Sequence, residues 1–430
     1  MKSFCTRLVI SLIIASSCTQ SSIAQIESHQ KRVDSLAPAQ PKTELPATPA
    51  PVAAAHAKKW YETFSIRGYA QVRYNRLFET NPKLKCDQCD KSIGENGGFF
   101  IRRARLILSG NVHDRVFFYI QPDLASAPSS TTNNFAQLRD LYFDVALDAK
   151  KEYRLRIGQS KIPFGFENLQ SSQNRLPLDR ADPTNSAVAN ERDLGVVFYY
   201  APAKTRELFA KLVSDGLKGS GDYGVLGLGA YNGQTANKTE SNNTPHVVAR
   251  LAYPFELKNG QIMELGIQGY KGKYNLNADL RNVGVKLPST AEFLDERVAA
   301  TFIIYPKPYG IFAEFNTGNG PEFDKASDSI QVKKLTGGYI MATYRAVVGN
   351  QGQVLMPYIR YQWYRGGKKQ EMDARSYQLE EWEMGIEWQV YKNFELTAAY
   401  TISERRFEDF KVQENLQRGS LLRLQAQLNF

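Results

Sequence analysis

Counted back from the end in steps of two, the final stretch is apolar at Phe430, Leu428, Ala426, Leu424 and Leu422. The residues between them, Asn429, Gln427, Gln425 and Arg423, are polar. A period of two sends the two sets to opposite faces of an extended strand. The same alternation recurs along the chain and predicts sixteen strands. They fall at approximately 63–75, 99–111, 115–123, 137–147, 152–159, 193–200, 223–232, 245–253, 261–271, 296–304, 308–316, 336–346, 356–365, 377–389, 393–403 and 420–430. A tilted strand of about 9–11 residues is long enough to cross a bilayer. An edge strand of a soluble sandwich would show the same alternation in any one stretch, so the connections must decide.

Those after the odd-numbered strands are long: 76–98, 124–136, 160–192, 233–244, 272–295, 317–335, 366–376 and 404–419. Most of those after even-numbered strands are short, such as Val112-His113-Asp114, Tyr305-Pro306-Lys307 and Val390-Tyr391-Lys392. A soluble sandwich has no reason to alternate in this way, whereas a membrane barrel has short turns on one side and long loops on the other. One connection breaks the rule. Ala201 to Asp222 is long, with a helix-like piece over 207–213 followed by Gly216, Gly219 and Gly221, and reads as a small periplasmic insertion. Aromatic residues gather at the short turns: Tyr253, Phe255, Tyr305, Tyr309, Tyr391 and Phe394. With Phe430 they form the expected interfacial girdle.

Beyond the N-terminus there is no apolar run of about 18 residues, so a membrane crossing would have to be made by a closed sheet. The predicted fold is therefore all-β: a closed antiparallel transmembrane β-barrel of sixteen strands over residues 60–430. Within each strand one face is charged. On the first, Phe64, Ile66, Gly68, Ala70, Val72 and Tyr74 oppose Ser65, Arg67, Tyr69, Gln71, Arg73 and Asn75. On the thirteenth, Ile359, Tyr361 and Trp363 oppose Tyr358, Arg360, Gln362 and Tyr364. An Arg facing lipid at mid-membrane costs about 2–4 kcal/mol, so the charged face must line an aqueous interior. That interior carries Arg67, Arg73, Arg103, Arg105, Arg154, Arg156, Arg360 and Arg423, with Glu381, Glu383 and Glu387 of the fourteenth strand as the opposite sign. Each could simply pair with a neighbour across the wall. Together, several Arg on nearby strands make an anion-attracting surface.

The formal net charge of +10 sharpens this reading. Basic residues are spread along alternating strands rather than clustered in a tail or helix, which favours small anions over nucleic acid or a membrane face. Residues 1–24 look like a secretory signal, with Lys2 and Arg7 ahead of the apolar run Leu8 to Ala15 and with Ser22-Ile23-Ala24 before Gln25. A lipoprotein cut before Cys18 is the alternative, but Ala15-Ser16-Ser17 lacks the large apolar residue usual there. Residues 25–59, with Pro38, Pro41, Pro46, Pro49 and Pro51, read as a Pro/Ala-rich periplasmic tail. Cys86 and Cys89 would remain after cleavage. Without a second Cys pair or a nearby His, they read as a local loop disulfide rather than a zinc or redox site. Nothing else in the chain points to a metal or a cofactor.

Four stretches then match, in order, the phosphate-selective porin O and P family. They are Gly98-Phe99-Phe100-Ile101-Arg102-Arg103-Ala104-Arg105-Leu106, Phe117 to Asp123 (FFYIQPD), Leu155 to Glu167 (LRIGQSKIPFGFE) and Glu191-Arg192-Asp193-Leu194-Gly195. The ending on an aromatic likewise resembles the terminal strand of bacterial outer-membrane barrels, where it is part of the assembly signal. The resemblance implies a homotrimer in the outer membrane of a Gram-negative bacterium, touching outer-membrane lipid. It also implies a third external loop, 160–192 here, folded into the pore. In the family, paired Arg on the second strand help bind the anion at the constriction, and Arg102 and Arg103 match them. With Arg67, Arg73, Arg105, Lys161 and Arg192 they form the candidate site. Strict alternation would put Arg102 on the lipid side, so it lies at the rim or a bulge turns both inward. Tyr69 and Asn168 stand where phosphate-selective members carry an Arg and a constriction Lys. Two cations fewer make passive passage of anionic or mixed small solutes the expectation, with phosphate and polyphosphate as candidates.

Two other functions compete. An enzyme using a nucleophilic Ser would want a His within reach, and neither His113 nor His246 has a recognisable motif around it. A barrel that mainly binds a partner or supports the envelope could use the loop acids Asp87, Asp90, Glu95, Asp324 and Asp328, although solvated loop charge explains them equally well.

Overall fold

A computed structural model describes residues 59–79, 97–125, 136–349, 352–413 and 415–430. The leader, almost all of the 25–59 tail, the Cys86–Cys89 pair and the loop acids Asp87, Asp90 and Glu95 lie outside the described residues.

The period-two segments form one antiparallel sheet. In chain order the strands are β1 (Ser65–Glu79), β2 (Gly98–His113), β3 (Val116–Asp123), β4 (Gln137–Ala146), β5 (Tyr153–Lys161), β6 (Arg192–Tyr200), β7 (Leu226–Tyr231) and β8 (His246–Glu256). They continue as β9 (Ile262–Asn275), β10 (Glu292–Ile304), β11 (Tyr309–Asp324), β12 (Ser329–Tyr344), β13 (Gln353–Gly367), β14 (Ser376–Tyr391), β15 (Phe394–Glu408) and β16 (Leu416–Asn429). A short stretch, Ala346–Val348, carries β12 past a break at Arg345 and pairs with the start of β13, so the wall has sixteen positions. The ring closes between β1 and β16, with Tyr69 opposite Asn429 and Glu79 opposite Gly419. Gly68 and Phe430 exchange backbone hydrogen bonds of 2.8 and 3.0 Å across the seam. A closed ring leaves no strand edge unpaired, which a lipid environment requires.

The two faces separate as the alternation predicts. Ile66, Phe99, Ile267, Ile340 and Trp382 are exposed on the outside, while Arg73, Arg297 and Arg360 are wholly buried inside. So large an apolar exterior fits hydrocarbon rather than water. The strands β11 and β12 run further than hydropathy suggests. Their ladder continues from Thr317 opposite Thr336 to Asp324 opposite Ser329, where Leu335, Phe323 and Ile330 are buried and Phe323 and Ile330 join an apolar cluster with Tyr274 and Phe293. Of the expected girdle, Tyr253, Phe255, Tyr309, Tyr391 and Phe430 do face outward. Tyr305 does not: it is buried, and its hydroxyl donates to Glu264 at 2.6 Å.

Among the described residues two connections carry α-helices. Between β5 and β6 lie α1 (Phe166–Leu169) and α2 (Asp182–Asn185); between β6 and β7 lies α3 (Ala203–Ser214). Arg154 and Arg156 on β5, and Ile262, Ile303 and Met356 on β9, β10 and β13, mark the inner wall near the short-turn end. The three apolar wall residues are covered. Phe209, Leu212 and Leu217 of the insertion, with Phe166 and Leu176 of the β5–β6 connection, form one cluster with them. Complete burial of a Leu or Phe side chain is worth about 1.5–3 kcal/mol, so this cluster fixes the insertion firmly. Part of the interior face is therefore packed hydrocarbon, where the sequence pattern suggested charge lining water throughout.

Candidate functional site

The site starts from an irregularity in β2. Gln71 pairs with Arg103 but Val72 pairs with Ile101, so Arg102 is an extra residue bulged out of the ladder. A bulge of one residue lets two consecutive side chains share a face. Ile101 is accordingly exposed on the outside, whereas Arg103 is buried and Arg102 reaches inward to Asp179 at 3.4 Å. Arg103 donates to Gln71 Oε1 at 2.8 Å and makes no ion pair among the described residues. The charges of Arg102, Arg105 and Arg175 all act on it.

Asp179 belongs to the β5–β6 connection, whose residues bond to wall strands all round the ring, β2 through Arg102 among them. On β1, Tyr69 bonds Ser172 (2.7 Å), Gln71 donates to the Ser172 carbonyl (3.2 Å), and Arg73 donates to the Leu178 carbonyl (3.1 Å). On β10, Arg297 donates to Ser186 Oγ at 2.8 Å. Glu314 of β11 accepts from the first two amides of α1, Phe166 (2.6 Å) and Glu167 (2.7 Å), groups that a helix start leaves without partners. On β13, Arg360 bridges Glu167 (3.1 Å) and Glu383 (2.8 Å). On β16, Arg423 reaches Asp179 (2.7 Å) and Glu383 (2.9 Å).

The remaining predicted residues divide by what they touch. Arg73 joins Asp179 (3.3 Å) and Gln425 (2.8 Å). Arg105 is tied to Asp123 (2.7 Å), to the Tyr69 hydroxyl (2.7 Å) and to Ser172 (3.3 Å). Lys161 points its ammonium at three carbonyls, those of Asn168 (3.0 Å), Leu169 (3.2 Å) and Gln170 (2.5 Å), and so fastens the end of α1. Arg192 pairs with Asp140 (2.9 Å) and with its neighbour Glu191. Arg67 shares the inner face but is exposed, without an ion pair among the described residues. Asn168 is buried, donating to the Phe164 and Thr184 carbonyls (3.1 and 3.0 Å) and accepting from Arg180 (2.7 Å).

Glu191 lies among Lys161, Arg175, Arg180 and Arg192. Burial by itself would raise its carboxyl pKa, but these four cations hold it well below the usual carboxylate range. The acids Asp123, Asp140 and Asp144 were not anticipated as partners of the Arg-bearing strands. Asp140 and Asp144 occupy every-second-residue positions on β4, and that parity was the available signal. Arg175 and Arg180 sit in a connection with no period, so nothing in the sequence pattern marked them.

The arrangement is polar, largely charge-paired and cationic around Arg103. Among the described residues no group of three or more His, Cys, Asp or Glu could hold a metal ion.

Solved structures with the same fold include outer-membrane proteins. The outer-membrane channel DcaP of Acinetobacter baumannii is 15% identical, with 85% of this chain and 97% of that chain covered at a TM-score of 0.53. OmpF of Salmonella typhi, in complex with daunomycin, is 12% identical over 85% and 97% at 0.52. OmpT of Vibrio cholerae, in vitro folded and in its trimer form, is 9% identical over 86% and 99% at 0.50. No curated protein matches the sequence. Such identities carry the fold alone; the family follows from the sequence itself, where residues 84–430 match the model for phosphate-selective porin O and P. The chain belongs to this family of porins in the outer membrane of Gram-negative bacteria, and its closed ring is a channel fold.

Proposed function

We propose that the protein is a passive porin for small anionic solutes, phosphate or polyphosphate among them, and that residues 162–191 fold into the barrel to form its constriction. The observation that carries the anion preference is Arg103, a buried guanidinium flanked by three others and lacking a carboxylate of its own among the described residues. A narrow, low-dielectric passage focuses such a field. Bonds from the loop to β1, β10, β11, β13 and β16 support the inward fold, since no surface loop could reach all five. Arg102, Arg103 and Arg105 then stand nearest the solute, with Arg73 buried beneath them against Asp179 and adding its charge to the field. Lys161 and Arg192 serve the same constriction by holding its loop, and Arg67 adds charge nearer the short-turn mouth. Because Asp179 and Glu383 offset part of this charge, the preference is moderate rather than absolute. Assembly as a homotrimer within the lipid of the outer membrane is part of the same reading, supported by the trimer form of OmpT.

Reversal potentials in asymmetric KCl test the proposal. Arg102→Ala together with Arg103→Ala is expected to lower the chloride-over-potassium permeability ratio. An unchanged ratio would remove the pair from the selectivity site.

A further inference from the structure

Three consecutive short-side connections meet around one cavity. Arg115 comes from the β2–β3 turn, Lys151 from the β4–β5 turn, and Arg206 and Asp222 from the insertion between β6 and β7. Arg154 and Arg156 of β5, with Asp144 of β4, make the inner wall. The space is about 400 Å³. None of these residues belongs to the Arg102–Arg103 cluster.

Their hydrogen bonding leaves donors in excess. Asp144 takes both arms of the Arg156 guanidinium, at 2.7 and 2.8 Å. Asp222 is shared by Arg154 and Arg206, each at 2.8 Å. Burial opposes ionisation of Asp222, but those two guanidinium groups hold its carboxyl below the ordinary range. Both carboxylates are thus already engaged. The side chains of Arg115 and Lys151 have no hydrogen-bond or ion-pair partner among the described residues, and Arg154, only 6% exposed, keeps an Nε–H with no acceptor. The frame is stiff: the Arg156 guanidinium lies 4.0 Å from the centre of the Tyr142 ring.

Five cationic groups, two committed carboxylates and an unanswered buried N–H suit a ligand that only accepts hydrogen bonds and carries negative charge. A volume of this size lies in the range of small-molecule pockets, and a bare inorganic ion would occupy only a fraction of it. Phe117 and Ala146 give the rest of the cavity an apolar wall. The geometry points to a second anion site, at the periplasmic mouth and closed on one side by the 201–225 insertion, that takes a small organic oxyanion, a phosphate monoester or a carboxylate. It stands on its own residues and does not depend on anion preference at the constriction.

Calorimetric titration of the purified full-length porin in detergent at low ionic strength tests it. Glucose 6-phosphate and citrate probe the phosphate-ester and carboxylate arms, inorganic phosphate the bare ion, and glucose the neutral control. At least one organic anion is expected to bind more tightly than inorganic phosphate, and glucose not at all. Arg115→Gln with Lys151→Gln removes two unpaired surface cations with little threat to folding. This variant should weaken the organic anion about tenfold, equivalent to about 1.4 kcal/mol. Arg102→Ala with Arg103→Ala should leave that affinity unchanged while altering reversal potentials. The site is overturned if neither organic anion binds, if inorganic phosphate binds as tightly, if the Arg115/Lys151 variant binds normally, or if the Arg102/Arg103 variant loses the binding.

Discussion

The Asp179 carboxylate lies 2.7 Å from Arg423 on β16, and it also meets Arg73 of β1 at 3.3 Å and Arg102 of β2 at 3.4 Å. One loop carboxylate therefore offsets guanidinium groups from three wall strands. Asp179→Asn keeps the shape and removes the charge. A unit charge at about 4 Å in water is worth about 1 kcal/mol, roughly a fivefold change in partition. Anion-over-cation permeability should rise by about that factor at low salt, and by less as the Debye length shortens to about 8 Å at 0.15 M. A fall in the ratio would contradict the role given to Asp179.

Arg360 holds Glu167 of the loop and Glu383 of the wall together in a buried bridge. Arg360→Met strands the buried Glu167 carboxylate and leaves Glu383 to Arg423 alone, which by analogy with other broken buried pairs costs about 3–5 kcal/mol. The temperature at which the folded barrel converts to the unfolded band on electrophoresis should drop clearly. Adding Glu167→Gln should recover part of the loss, because the stranded charge is then gone.

Removal of part of 166–190 should widen the passage and raise single-channel conductance. Equal conductance would mean that this loop does not constrict.

At Gly68 a Cβ would stand 2.4 Å from the Arg105 carbonyl oxygen and 2.6 Å from the Phe430 ring. The β2 backbone closes on it from one side and the Phe430 ring from the β1–β16 seam on the other, so the residue has no room for a side chain. Gly68→Val should reduce the fraction of heat-modifiable, folded barrel obtained on refolding. Gly260, with nothing near its Cβ position, lies in a turn at positive φ and provides a contrasting position away from the seam.

Glu191 has a folded pKa well below the carboxylate range. A depressed acid stabilises the native state fully above its unfolded pKa and loses that contribution as pH falls through the folded value. Loop anchoring by Glu191 should thus be constant from neutral pH to about pH 5 and weaken only in strong acid. Current noise measured against pH should show this late onset, and Glu191→Gln should be noisy already at neutral pH.

The barrel was legible because lipid on one side and water on the other impose a strict two-residue alternation. Long and short connections also fall on opposite membrane faces. The inner turn of Tyr305 was not legible: within two residues of a tight connection, parity no longer decides direction. Nor was the packing of α3. Its Phe209 and Leu212 read as one side of a helix, and only the apolar inner face at Ile262, Ile303 and Met356 shows what they cover. The bulge at Arg102 was one of two placements open to the sequence, because a local ladder shift leaves no compositional trace. The charge pairing was hardest to read, since Asp179, Arg175 and Arg180 sit in a connection without regular repeat and meet their partners only in three dimensions.

The slipped ladder at Arg102 also bears on how such a pore can change over generations. Deleting the Arg102 codon would restore the regular pairing and take one arginine out of the passage; inserting one elsewhere in the wall would recruit an outward side chain to it. Ionic character can therefore be retuned by gain or loss of one residue, leaving strand number, diameter and the greasy exterior as they were.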